Sequence, residues 1–361
     1  MKILHLIYDH IDNPWVGGGG AVRVYEIYKR LSSHNQITVV CGRYPSAADY
    51  SEGNLKFHFT GTERGNYVLS VFWYVLESME FLKKYADEYD VVVEDFTPYT
   101  PLFSFLRHRK TMIQLHQKEG FHHLKKYFIL GLPFITIELL YPRLFRNAVL
   151  VSEICKRKFR LTGNTVIIPN GIDPILLAEE VEDGDYFLFL GRLHVNQKGL
   201  DILLSSLSYL KTDIRLVIAG RGREEARVRQ MFGKYMSSGR VRMVGFVTGR
   251  AKMDYLRKCK FLVVPSRYEA QCIGVLEAAA SGKPVLVSDV PELSYSVNAG
   301  FGLSFRTGDA KDLAYKIKLL FGNESLRMDM SRKAREFAKG YVWDNIAADF
   351  EQYLVAVSQK G

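Results

Sequence analysis

Short runs of apolar, mostly β-branched residues recur along the chain, separated by longer stretches in which apolar residues return every three or four positions. The runs are ILHLIY, ITVVC, VVVE, TMIQLH, AVLVS and TVIIP, then YFLFLG, IRLVIAG, VRMVG, FLVVPS and PVLVSD. Continuous apolar strands alternating with amphipathic helices are the pattern of a parallel sheet covered on both faces. There are too many runs for one compact sheet, and they fall into two series. The break is placed at the turn cluster Pro169-Asn170-Gly171-Ile172-Asp173-Pro174. The expected organisation is an N-terminal α/β unit over 1–171 and a C-terminal α/β unit over 172–340. A final amphipathic helix, WDNIAADFEQYLVAV, falls in 341–361, set apart by Gly340.

Composition narrows the class. Of 361 residues, 47% are apolar and 24% charged, ample for packed cores and against extended disorder. No run of about 18 apolar residues suggests a spanning helix. The opening MKILHLIYDH stops at Asp9 and reads as a first strand rather than a secretory signal. Lys and Arg number 49 against 39 Asp and Glu, a net charge of +10. The excess divides evenly, 21 against 16 up to Gly171 and 28 against 23 after it, so there is no basic tail. It suits a phosphate-bearing partner such as a nucleotide or an anionic membrane surface. Nucleic acid would call for a clustered basic stripe with interleaved aromatics, so none is expected as partner. Cys41, Cys155, Cys259 and Cys272 are far apart and form no C-x-x-C pair, pointing to a reducing, cytoplasmic setting without a zinc site or disulfide framework.

The residues with candidate chemistry share a position at the carboxyl ends of the strand runs, where open α/β sheets bind ligands. Gly17-Gly18-Gly19-Gly20 follows the first run and precedes the helical AVRVYEIYKRL. Such a loop lets backbone approach a ligand and aims amides at an anion. It is neither a G-x-G-x-x-G fingerprint, since Arg23 takes the last place, nor a P-loop. His116 ends TMIQLH. Gly191 and Arg192 end YFLFLG, with Lys198 six residues on, and two cations on one connection suit a diphosphate. Gly220 ends IRLVIAG and opens the turn Gly220-Arg221-Gly222-Arg223. Beyond FLVVP lies Ser266-Arg267-Tyr268-Glu269-Ala270-Gln271-Cys272-Ile273, leading into the helix IGVLEAAASG, whose first amides around Cys272 and Ile273 suit a phosphate. Glu269 and Glu277, in that loop and helix, have the chemistry to accept from the hydroxyls of two sugars.

Together the glycine loop, the VIIPNGID connector, G-R-L…K-G, S-R-Y-E…E and A-S-G-K-P-V-L-V-S-D resemble family 4 of the retaining glycosyltransferases nearly end to end. The resemblance implies the GT-B fold: two doubly wound, Rossmann-like domains facing across a cleft, the last helix returning to the first domain. It implies a retaining hexosyltransferase that uses a nucleotide-sugar donor as substrate, with no cofactor and no obligatory metal. Residue by residue, it implies Arg192 and Lys198 on the donor diphosphate, Glu269 on donor-sugar hydroxyls and Glu277 on the ribose. Gly18 and Gly19 match a loop touching phosphates or acceptor, and His116 a histidine beside the transferred sugar. Where the family usually has E-G-F-G, this chain has Glu269-Ala270-Gln271-Cys272, and a side chain at 272 leaves less room than glycine.

Residues 122–146, HHLKKYFILGLPFITIELLYPRLFR, combine a basic flank with a broken apolar stretch. Two readings stand: a helix packed on the first sheet, or an interfacial segment placing Lys125, Lys126, Arg143 and Arg146 at lipid phosphates. The expected acceptor is a glycan or a lipid-linked one, met at the cytosolic membrane face. The rival functions are a nucleotide-sugar epimerase of the same fold and a non-catalytic subunit that binds nucleotide or membrane.

Overall fold

The computed structural model describes residues 1–63, 66–120, 123–124, 128–178 and 180–359. The chain divides into two compact units, Met1–Asn170 with Asp344–Gly361, and Gly171–Trp343.

The first unit is built on an eight-stranded sheet. Its strands are β1 (Lys2–Ile7), β2 (Gln36–Gly42), β3 (Tyr50–Glu52), β4 (Leu55–Thr60), β5 (Val91–Asp95), β6 (Thr111–Leu115), β7 (Asn147–Leu150) and β8 (Asn164–Ile167). Their order is β3-β4-β2-β1-β5-β6-β7-β8, parallel throughout except for the antiparallel edge pair β3–β4. The second unit carries six parallel strands: β9 (Tyr186–Leu190), β10 (Arg215–Ala219), β11 (Val241–Gly245), β12 (Leu262–Val264), β13 (Val285–Ser288) and β14 (Gly302–Phe305), ordered β11-β10-β9-β12-β13-β14. The direction of winding reverses between β1 and β5 in one sheet and between β9 and β12 in the other, and such switch points open a crevice at the strands' carboxyl ends.

Every expected apolar run is a strand. Strands β3, β4 and β14 were not among them, for a physical reason. LKFHFT of β4 alternates, with Lys56 exposed and His58 half-buried near the sheet edge, and GLSF of β14 is four residues long at the edge of the second unit's sheet. Strands at a sheet edge or next to it need only one fully covered face and lose the continuous apolar signature.

The faces of the first sheet differ. Leu4, Leu6 and Val92 share a core with Tyr74 and Leu82 of the helix Tyr67–Tyr85. His5, one residue on and therefore on the opposite face, bonds the hydroxyl of Tyr28 in the helix Gly19–Leu31. The final helix, Trp343–Gln359, packs there too: Phe350 meets Tyr28 edge-on at 6.0 Å, and Arg30 pairs with Asp344 at 2.8 Å. All four cysteines are free thiols.

Candidate functional site

In the second unit, backbone contacts hold the two loops at the switch point together. Gly199 has φ +64°, and a Cβ there would lie 1.9 Å from the Pro265 carbonyl oxygen. The Arg267 amide bonds the Gln197 carbonyl at 2.9 Å, while the Arg267 guanidinium grips Asp201 through two bonds of 2.8 and 2.7 Å. The lysine loop therefore lies flat against the loop after β12. That apposition brings Lys198 Nζ to 2.6 Å from Glu269 Oε1, which also accepts from Ser266 Oγ at 2.6 Å. Burial works against the Lys198 charge, but the Glu269 carboxylate outweighs it and holds the ammonium above its ordinary pKa. Arg192 is half-buried on the same connection, near enough for its charge to act on Lys198.

Gly191 and Gly220 meet at the ends of β9 and β10. Gly220 has φ +150°, and a Cβ on it would stand 1.9 Å from the Gly191 carbonyl oxygen, so this crossing admits only glycine. The arginine of the following turn, Arg221, stacks over Phe246 at 4.0 Å.

The helix Ile273–Ala280 begins at Cys272, its N-cap in extended conformation, with no side-chain cap. Burial, with the Glu269 charge adding to it, pushes the Cys272 thiol up to about 12, so it stays protonated at neutral pH. The Cys272 sulfur lies 3.8 Å from where a Cβ on Gly274 would be, close over the helix's first turn. Glu277, the fifth residue of this helix, pairs with Lys252 Nζ at 2.5 Å. The sequence gives no hint of that partner, which comes from the separate helix Gly249–Lys258.

In the first unit the glycine loop closes on a carboxylate. Asp9, just beyond β1, accepts from the amides of Gly17 at 2.8 Å and Gly18 at 2.9 Å. Gly18 is the N-cap of the helix Gly19–Leu31, and its amide is thus committed within the protein. Gly19 and Gly20 begin the helix, and first-turn amides have no acceptor ahead of them in the helix. His116 lies under this loop: a Cβ on Gly20 would touch its Nε2 at 3.5 Å.

His116 Nε2 is 3.0 Å from the Asp95 carboxylate. Asp95 also accepts from Gln114 Nε2 at 2.6 Å, and His5 approaches at 3.5 Å. Burial works to raise the Asp95 pKa, but His116 and His5 prevail and hold it well below the usual carboxylate range. Gln114 Oε1 in turn accepts from Arg23 Nε at 3.0 Å, and Arg23 Nη1 donates to the Pro169 carbonyl at 2.6 Å. Arg23 is fully buried, and burial pushes its pKa down to about 10. A continuous polar chain thus runs from the inter-unit connector to His116.

Asp9, Asp95, Gln114 and Arg23 are site residues that lie outside the sequence motifs, although the acidic end of VVVED is a visible signal at a strand terminus. Within each unit the candidates converge: Arg192, Lys198, Glu269, Cys272 and Ile273 at one switch point, Gly18, Gly19 and His116 at the other. Glu277, one turn further along the helix that starts at Cys272, pairs with Lys252.

Among the described residues no group of three or more His, Cys, Asp or Glu could hold a metal ion. The chain does contain one Asp-x-Asp triplet, Asp183-Gly184-Asp185, a spacing associated with metal-bound diphosphates. Both carboxylates are in ion pairs, Asp183 with Arg327 and Lys260 and Asp185 with Arg215. The triplet precedes β9, at the opposite end of that strand from Arg192.

Residues 17–175 match the family described as Glycosyltransferase Family 4, and residues 178–337 match Glycosyl transferases group 1. An N,N'-diacetylbacillosaminyl-diphospho-undecaprenol alpha-1,3-N-acetylgalactosaminyltransferase of Campylobacter jejuni is 33% identical over 158 residues, 44% of this chain and 40% of that one. The chain spans about half the length of the curated relatives it matches, 55% and 60% in two further cases. Sucrose-phosphate synthase from Thermosynechococcus elongatus is 18% identical with a TM-score of 0.85, covering 100% of both chains. The Anabaena protein HepE, solved with UDP and glucose, is 18% identical with a TM-score of 0.77, covering 99% of this chain and 100% of its own. The shared architecture is GT-B, two Rossmann-like α/β domains.

Proposed function

Because the chain belongs to family 4 of the glycosyltransferases, we propose that it moves a hexose-type sugar from a nucleoside-diphosphate sugar to a glycan or lipid-linked acceptor, with retention at the anomeric carbon. The observation that carries this reading is the Lys198–Glu269 pair beside the uncapped helix start at Cys272 and Ile273. A cation, a second cation at Arg192 and free amides answer the charge that develops on a departing diphosphate, and such preorganised groups act without reorganising during the reaction.

The division of labour follows from the chemistry of each group. The bond between anomeric carbon and diphosphate oxygen breaks as negative charge passes to the phosphate, which Lys198 and Arg192 stabilise. Lys198 has three N–H donors and spends one on Glu269, leaving others for phosphate oxygens. Glu269 accepts from hydroxyls of the donor sugar, and Glu277 from the ribose. The acceptor hydroxyl attacks from the face the diphosphate leaves, and its proton passes to the departing phosphate oxygen. Cys272, held as a neutral thiol, supplies no nucleophile to this scheme. His116, oriented by Asp95, is assigned to hydroxyls of the transferred sugar. No metal is required on this reading, and Asp183 and Asp185 remain structural.

A lipid-linked acceptor is supported by the Campylobacter relative, whose name specifies a diphospho-undecaprenol substrate. The chain would then work at the cytosolic membrane face. A thermal-shift panel of uridine, guanosine and adenosine diphosphate sugars tests the donor half, since a ligand that binds only the folded state raises Tm. Stabilisation by one nucleotide family, lost in Lys198→Ala, is expected. A flat response to the whole panel would contradict it.

A further inference from the structure

The first unit turns an apolar face outward in two places. In the helix Tyr67–Tyr85, started by Asn66 accepting from the Val68 and Leu69 amides, the inward positions are Ser70, Tyr74, Ser78 and Leu82. The serines are satisfied there: Ser70 bonds the Arg43 carbonyl at 2.6 Å, and Ser78 meets Thr60 at 3.0 Å. The outward stripe is Val68, Leu69, Phe72, Trp73, Leu76 and Met79, between 38% and 69% exposed. This reverses the usual arrangement of a surface helix, whose apolar stripe faces the core.

Segment 128–144 repeats the inversion. Phe128 is 82% exposed and Ile129 and Leu130 74% each, while Glu138 of the helix Leu132–Leu140 is buried, accepting from the amides of Glu119 and Gly120. Both elements cover the same side of the sheet. Glu94 of β5 points to the side of Val92, against which the helix Tyr67–Tyr85 packs, and Glu94 accepts from the hydroxyl of Tyr141 at 2.6 Å. The two apolar surfaces therefore belong to one face of this unit, and exposed large apolar side chains gathered on one face mark an interaction site.

Charge says what kind. The even division by halves conceals a block: residues 101–160 hold twelve Lys and Arg against three Asp and Glu, while residues 1–100 hold nine against thirteen. Within that block Arg107 and Arg109 are exposed beside Leu106, and Arg143 and Arg146 beside Leu144. Ring contact between Phe105 and Phe145 at 5.1 Å joins the two turns that carry them. Lys125 and Lys126, expected to flank this segment, lie outside the described residues. Apolar side chains rimmed by cations match an anionic bilayer, with tails for the first and phosphates for the second. A second copy fits worse, since a symmetric dimer would set two equally basic rims against each other. No described helix is long and apolar enough to cross a membrane.

We propose that this face, the outer stripe of Tyr67–Tyr85 with segment 128–144, docks on an anionic lipid bilayer. It deepens the proposed reading, in which a lipid carries the acceptor, but needs no donor to be tested. Vesicle flotation compares phosphatidylcholine alone with phosphatidylcholine containing phosphatidylglycerol, at low and high salt. Trp73 emission reports insertion, with Trp73→Phe assigning the signal. Wild type is expected on the anionic vesicles with a blue shift, weakened by salt. Phe72→Gln/Trp73→Gln/Leu76→Gln should lower partitioning at least tenfold while keeping Tm and donor hydrolysis in solution. Arg107→Gln/Arg109→Gln/Arg143→Gln/Arg146→Gln should remove the preference for anionic lipid.

No binding by wild type, or binding unchanged in both variants, overturns the proposal. So does a solution dimer abolished by the apolar substitutions in a protein that ignores vesicles. Donor turnover without vesicle binding would sink this inference alone, and vesicle binding without turnover would sink only the catalytic reading.

Discussion

Lys198 Nζ and Ser266 Oγ both lie 2.6 Å from the same oxygen of Glu269, Oε1. The other carboxylate oxygen has no protein partner among the described residues. Glu269 is therefore anchored through one oxygen and open through the other, the arrangement expected of a carboxylate that must hold a sugar hydroxyl at a fixed angle to a neighbouring cation.

Removing either cation should expose the cost of leaving-group charge. Lys198→Ala and Arg192→Ala are each expected to lower kcat by about 100-fold or more, the scale seen when one preorganised donor to a developing anion is lost. Steady-state kinetics with the cognate donor checks it. Near wild-type kcat in both variants would remove these residues from the chemistry.

The two glutamates should separate by ligand. Glu277→Ala is expected to weaken free nucleoside diphosphate, and Glu269→Ala the intact donor, each by about 1.5–3 kcal/mol for a lost charged hydrogen bond. Calorimetry with the nucleotide and with a non-transferable donor analogue reads the difference. Equal losses on both ligands would contradict separate roles.

The loop apposition depends on a residue without a side chain. Gly199→Ala would place a Cβ 1.9 Å from the Pro265 oxygen at φ +64°. Strain and overlap together should cost at least about 2 kcal/mol, seen as a lower Tm. A Tm within error of wild type would mean that the loops separate freely.

Much of this was readable along the chain. Continuous apolar runs disclosed both buried sheets, because strands covered on two faces have no polar alternation to blur them. Lys198 and Glu269 were visible as strand-end chemistry, though their contact was not, since it depends on Arg267 crossing to Asp201 over 66 residues. Lys252 was hidden likewise, because it reaches Glu277 only when two separate helices pack, whereas Asp9 gave no sign because its partners, the amides of Gly17 and Gly18, are backbone groups of the same loop. Glu138 looked like an interruption in an apolar stretch, yet it is the buried member while its apolar neighbours face out. Periodicity reports which residues share a face, not which face meets solvent.

Buried histidines should set an acid limit to stability. Burial lowers the pKa of His5 below 6.5 and that of His10 to about 4. Between 6.5 and those values the unfolded chain binds protons the folded one refuses, so stability is complete above about pH 6.5 and falls as pH drops. Asp95, whose folded pKa is depressed, adds a further loss below about pH 4 as it protonates. Tm measured from pH 7.5 to 4 should decline steadily below 6.5. A flat profile down to pH 4.5 would show these imidazoles accepting protons in place.

The most direct test of the account is the anomeric configuration of the sugar first released. With water as surrogate acceptor, proton NMR can follow hydrolysis of a panel of nucleotide hexoses in the presence of EDTA, before mutarotation scrambles the product. The account predicts that the cognate donor yields a sugar of the donor's own anomeric configuration, without added metal, about 100-fold more slowly in Lys198→Ala. An inverted first product, or turnover abolished by EDTA and restored by a divalent ion, would contradict it.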